Sequence, residues 1–118
     1  MKLVYASRTG NIEKLVGRLG ISDAVKITSG DEVIGEPFIL ITYTDGNGIL
    51  PADVDKFVSA NKADIKAAAV SGNKERHPDT FCFAANVLRE KYGVDIIATF
   101  DKDGSEETEK AVKEALGQ

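Results

Sequence analysis

The stretch Leu3-Val4-Tyr5-Ala6-Ser7-Arg8-Thr9-Gly10-Asn11-Ile12 decides how the chain is read. Its first four residues are strand-like, and a helical spacing of apolar residues starts at Ile12 and continues through Leu15, Val16 and Leu19. Between the two, the hydroxyls of Ser7 and Thr9, the amide of Asn11 and the unpaired N–H groups of a helix start can converge. Together with the helix dipole they make an anion site suited to a phosphate. Hydroxyl residues before a helix also serve as plain caps. Two features favour the ligand reading. The loop holds more polar groups than one cap requires, and Ile12, three residues after Thr9, breaks the reciprocal capping-box pattern.

Working outward, further apolar runs predict strands at Ala24 to Thr28, Phe38 to Tyr43, Ile65 to Ser71 and Val94 to Phe100, with the first at Lys2 to Ala6. Nearly continuous apolar runs predict strands covered on both faces, and hence parallel pairing. Helical spacing recurs between and after them: Val54, Phe57 and Val58; Phe81, Ala84, Ala85, Leu88 and Tyr92; Thr108, Ala111, Val112 and Ala115. Boundary residues agree, with Gly20 and Gly93 closing helices, Pro51 at a first turn and Ser105 opening the last. The expectation is an α/β, doubly wound, three-layer fold with a five-stranded parallel sheet of order 2-1-3-4-5, and residues 1–118 as a single domain. Ligands of such sheets bind outside the carboxyl ends of the first and third strands, where the Ser7 to Asn11 loop falls. One connection is short for this plan, because Thr28 to Pro37 is too brief for a crossover helix. Gly30 and Gly35 suit tight turns there, and Asp31-Glu32 reads as solvated rather than functional.

Composition narrows the function. A net charge of −4 and a pI near 5.0 leave no basic stripe for a nucleic-acid backbone. The lone Cys82 has no disulfide partner, and no secretory apolar region stands at the amino terminus, so a reducing, cytoplasmic setting is expected. No apolar run reaches the roughly 18 residues needed to span a membrane. Cys82 reads as a packed small hydrophobe; it has no resolving partner, and Leu88 stands where the cysteine phosphatases need arginine.

Two more loops share the carboxyl edge. The third strand ends in Thr42-Tyr43-Thr44-Asp45-Gly46-Asn47-Gly48, which brings a ring that can stack on a flat heterocycle and glycines that permit close approach. The fourth ends in Ser71-Gly72-Asn73, followed by Lys74-Glu75-Arg76-His77-Pro78-Asp79. Either could be an ordinary turn, but their convergence with the first loop points to a planar phosphate ester as the ligand.

With these loops placed, the whole chain resembles the flavodoxin-like NrdI proteins, which bind FMN and serve class Ib ribonucleotide reductase. The resemblance is carried by Ser7-x-Thr9-Gly10-Asn11, by Phe38 through Thr44-x-Gly46-x-Gly48, and by Ser71-Gly72-Asn73. It implies that Ser7, Arg8 through its backbone, Thr9, Gly10 and Asn11 hold the FMN phosphate. Thr42, Tyr43, Thr44, Asp45, Gly46 and Asn47 would border the isoalloxazine from one side, and Ser71, Gly72 and Asn73 from the other. In the family the glycine matched by Gly46 is thought to change backbone conformation with flavin redox state.

The implied partners are an electron-donating reductase, dioxygen and the dimanganese small subunit of the reductase. The implied role is that of an accessory flavoprotein, not a stand-alone metabolic enzyme, supplying superoxide or a related oxidant for the tyrosyl radical. The sequence departs from the family after Asn73, where Arg76-His77-Pro78 replaces a run of asparagine, aromatic and glycine. His77 would take the aromatic's place beside the flavin, where an imidazolium would favour the reduced form, or else stand as an exposed loop residue. Pro78 removes an N–H that glycine would offer. A generic flavodoxin electron shuttle and a flavin-free regulatory module on the same fold are the competing readings. The weak net charge counts against the first, and the near absence of acidic residues at the strand ends against a magnesium-dependent receiver.

Overall fold

The computed structural model describes residues 1–46 and 48–117; Asn47, expected at the ring edge, lies outside them. The elements run β1 (Lys2–Tyr5), α1 (Asn11–Leu19), β2 (Val25–Lys26), β3 (Phe38–Tyr43), α2 (Ala52–Asn61), β4 (Ile65–Gly72), a 3-10 turn at Pro78–Thr80, α3 (Ala84–Tyr92), β5 (Asp95–Asp101) and α4 (Glu106–Leu116). The strands form one sheet of order β2-β1-β3-β4-β5, with every pairing parallel. The doubly wound α/β expectation therefore holds in strand number, direction and order.

The continuous apolar runs have a simple cause: strand side chains alternate between two faces, and both faces are covered. Val4, Phe38, Leu40, Ala68 and Val70 point to one side, where Val54, Phe57 and Val58 of α2 and Ala84, Ala85 and Leu88 of α3 meet them. Leu3, Ile39, Ile41, Ala67 and Ala69 point to the other, against Ile12, Leu15, Val16 and Leu19 of α1 and Val112 and Leu116 of α4. In the first core Phe38 and Phe57 pack edge to face, with ring centroids 5.5 Å apart. α1 and α3 end at Gly20 and Gly93, both in the left-handed conformation that favours glycine.

Three local expectations are corrected. The second strand pairs only over Val25–Lys26 rather than from Ala24 to Thr28. It lies on the sheet edge, where no second neighbour extends the ladder. The third helix does not include Phe81: Pro78–Thr80 forms a 3-10 turn, and Cys82 takes φ 57°, which interrupts the helical path until Ala84. Glu32, expected to be merely solvated, organises the helix-free crossing. Its carboxylate accepts N–H groups of Thr28 at 2.9 Å, Ser29 at 3.2 Å and Gly30 at 2.9 Å, and the Thr28 hydroxyl at 2.8 Å. Buried Asn61 then ties the crossing to α2, donating to the Glu32 and Phe57 carbonyls and accepting from the Ile34 N–H. Asp31 is exposed and pairs with Lys56, as a solvated residue should.

This frame places the loops after β1, β3 and β4 side by side at one end of the sheet. Among the described residues no helix is long and apolar enough to cross a membrane.

Candidate functional site

The three loops enclose a cleft lined by Ser7, Arg8, Thr9, Asn11, Tyr43, Thr44, Asp45, Gly46, Ser71, Gly72, Asn73 and His77, all expected from the sequence, and by Ile12, Arg76 and Thr80. Two expected residues do not line it. Thr42 is fully buried in β3 and spends its hydroxyl on the Tyr43 carbonyl at 3.1 Å, and Gly10 serves as the turn into α1.

The floor of the cleft at the β1–α1 junction is built for an anion. Gly10 adopts φ 89°, and no side chain caps the helix that follows. The first helical bond of α1 runs from the Lys14 N–H to the Gly10 carbonyl, so the N–H groups before it face the loop rather than a helical partner. Ser7 Oγ is buried yet has no hydrogen-bond partner; among the described residues it is the one buried side-chain N or O atom in that state. An orphaned hydroxyl costs about 1–3 kcal/mol unless something meets it. A phosphate oxygen at this position would satisfy both the hydroxyl and the helix start, so the residues fit the phosphate of a flavin nucleotide.

The other polar groups divide by whether their bonds are already spent. The Thr44 hydroxyl donates to the Ser71 carbonyl at 2.9 Å, and the Ser71 hydroxyl to the Lys102 carbonyl at 2.5 Å. Asn73 accepts the Arg76 N–H on its side-chain oxygen at 3.1 Å and the His77 N–H on its carbonyl at 2.9 Å. These groups hold the walls in place. Among the described residues the Ser7 hydroxyl is the one buried side-chain polar atom of the cleft left without a partner.

On the ring side, the Arg8 guanidinium sits 5.2 Å from the Tyr43 ring centroid and 4.0 Å from Asp45 Oδ1. A flat heterocycle stacking on Tyr43 must displace it. Arg8 is exposed and its ion pair is long, so that displacement costs little. Burial pushes the Tyr43 phenol above its ordinary value, with Asp53 adding to the effect and Arg8 opposing it, so the ring stays neutral. His77 is exposed to solvent but touches the opposite loop: a Cβ on Gly46 would lie 3.2 Å from its Cε1. The imidazole therefore packs on Gly46, and any larger residue there would press on it.

Arg76 and Thr80 lacked a local signal as cleft residues. Arg76 stood in the sequence as a departure from the family pattern, whereas Thr80 reaches Gly46 across 34 positions of chain. Cys82 lies beneath the cleft, buried, with Sγ 3.5 Å from the Val70 and Phe100 carbonyls. Burial pushes its thiol up to about 11, which opposes a thiolate role. Among the described residues no group of three or more His, Cys, Asp or Glu side chains is placed to hold a metal ion.

Residues 3–114 match the family model described as NrdI flavodoxin-like. In fold the chain is similar to a solved structure described as a short-chain flavodoxin associated with a non-canonical PDU bacterial microcompartment. The TM-score is 0.64 over 98% of this chain and 93% of that one. Sequence identity is 19%, so this likeness speaks for the fold alone.

Proposed function

The chain belongs to the NrdI flavodoxin-like family, and from that premise we propose that it binds FMN and supports class Ib ribonucleotide reductase as an accessory redox protein. The observation that carries the cofactor reading is the buried, unpartnered Ser7 hydroxyl beside the uncapped start of α1. Ser7, Thr9 and Asn11, with the backbone from Arg8 to Asn11, would hold the phosphate. Tyr43, Thr44, Asp45 and Gly46 would border the ring on one side, and Ser71, Gly72, Asn73 and His77 on the other.

When bound, FMN would supply one- and two-electron redox chemistry, including the reduction of dioxygen to superoxide or a related oxidant. The protein's part is to bind, orient and tune. The helix dipole and the Ser7 hydroxyl favour the doubly charged phosphate, anchoring the molecule at its far end. The Gly46 backbone lines the cleft and would border the ring, where the direction of a donor or acceptor would favour one redox state over another. Oxidant made here would travel to the dimanganese small subunit, and an electron-donating reductase would refill the site. A cytoplasmic setting follows from those partners.

The test is titration of FMN into the ligand-free chain, followed by anaerobic reduction and mixing with manganese-loaded small subunit and oxygen. Flavin uptake with growth of a tyrosyl-radical signal in electron paramagnetic resonance is the expected result. A chain that takes up no FMN defeats the cofactor reading. Uptake without radical formation defeats the reductase role and leaves an electron shuttle.

A further inference from the structure

Arg8 belongs to both ends of the cleft. Its backbone lies between Ser7 and Thr9 in the loop that would hold a phosphate. Its guanidinium reaches across to the loop after β3, 5.2 Å from the Tyr43 ring centroid and 4.0 Å from Asp45 Oδ1. The receiving wall is set without it. Asp45 Oδ1 accepts the Gly46 N–H at 2.7 Å, and Tyr43 packs against the first core. The ring face that a flat heterocycle needs therefore already has an occupant, and that occupant hangs from the phosphate loop.

The strength of the contact sets what it can do. A guanidinium over an aromatic ring at an exposed site favours the covered arrangement by about two- to fivefold, and the long, exposed pair with Asp45 adds little. A ligand that needs the uncovered ring then binds about three- to sixfold more weakly, because only a fraction of the molecules present it. That penalty is the same for any ring, but its compensation is not. A guanidinium released from Tyr43 stays tethered to the loop that would hold the phosphate. Its charge-assisted pairing with a phosphate dianion is at least as strong as the contact it gives up. Riboflavin offers no such partner.

We propose that the Arg8 side chain is a specificity determinant of the cleft: it covers the Tyr43 ring in the free protein, and its displacement is compensated only by a flavin that carries a phosphate. This role rests on the FMN reading. Selectivity of this kind is a difference between two affinities, and Arg8 acts on it by weakening the unphosphorylated competitor rather than by adding a contact to the ring.

The experiment titrates FMN and riboflavin, by flavin fluorescence, into wild type, Arg8→Ala and Arg8→Gln; the last has a long polar side chain without the charge. Both variants are expected to bind riboflavin about three- to sixfold more tightly than wild type and FMN no more tightly, so the preference for FMN falls at least threefold. In the ligand-free protein, the Arg8 Nε–H resonance of wild type is compared with that of Tyr43→Leu, where it should leave its ring-shifted position. Riboflavin bound no more tightly by either variant than by wild type overturns the proposal, and the cofactor reading stands as long as FMN binds. An equal gain for both flavins overturns the compensation by phosphate, and with it the specificity role. An Arg8 resonance unchanged in Tyr43→Leu overturns the covering of the ring, whatever binds. A wild type that takes up no FMN defeats the cofactor reading and the specificity role together.

Discussion

Ser7 carries opposite requirements in the free and loaded protein. In the free protein its hydroxyl is buried with no partner, so Ser7→Ala removes a penalty and is expected to raise stability by about 0.5–1 kcal/mol in urea melts. In the loaded protein the same change removes a charge-assisted bond, and FMN affinity by fluorescence titration should fall about tenfold. A variant that loses both stability and affinity would show that the hydroxyl has a structural partner instead. Cys82 makes a second residue-scale case. With burial holding its thiol at about 11, almost none is thiolate at pH 8, so the folded protein should resist alkylation there until denaturant is added. Rapid alkylation of the native protein would contradict this burial. The polar loop at Ser7 was legible because it lies within one local strand-to-helix junction. The buried hydroxyl in it left without a partner was not, since that depends on which distant groups fail to reach it.

At the scale of elements, the crossing from β2 to β3 is the informative one. Partial burial alone would raise the Glu32 carboxyl, but the backbone N–H and hydroxyl of Thr28, with the Ser29 N–H, outweigh it and hold the group at about 2, below its ordinary 4.5. A depressed carboxyl contributes stability that is fully present above pH 4.5 and is lost as pH falls through about 2. Glu32→Gln should therefore cost about 1–2 kcal/mol at pH 7, after allowance for the partly exposed carboxylate, and the gap should close near pH 2. Chemical denaturation of both proteins at pH 7, 4 and 2 checks this; a constant gap would assign the loss to shape rather than charge. The sequence identified the crossing as helix-free but gave Asp31 and Glu32 the same reading. Only Glu32 faces the backbone N–H groups of its own loop, and that distinction depends on how Thr28 to Gly30 curl. The 3-10 turn before α3 escaped for a similar reason. Apolar spacing from Phe81 suits a helix, yet the close approach of Gly72 to the Cys82 backbone, where a Cβ would lie 2.7 Å from the Cys82 nitrogen, goes with a non-helical Cys82.

At the scale of the whole molecule, two cores on opposite faces of one sheet hold three loops against each other, and a ligand touching all three should stabilise the entire fold. A ligand at one hundred times its dissociation constant adds about 2.7 kcal/mol, which for a domain of this size is roughly 10 °C or more in melting temperature. FMN is expected to give that shift and riboflavin, lacking the phosphate, clearly less. Equal shifts would remove the anchoring role from the Ser7 to Asn11 loop.

The sequence by itself determined the order, direction and layering of the elements, because continuous apolar runs and helical spacing are local consequences of which faces are covered. It also placed three polar loops at one edge, because parallel strands all end on the same side. Tertiary structure alone decided which polar groups of those loops are spent on walls and which remain free. It also decided that Thr80 meets Gly46 across 34 positions. Hydrogen-bond partnership between distant segments depends on ångström-scale approach, and no local pattern of residues encodes that.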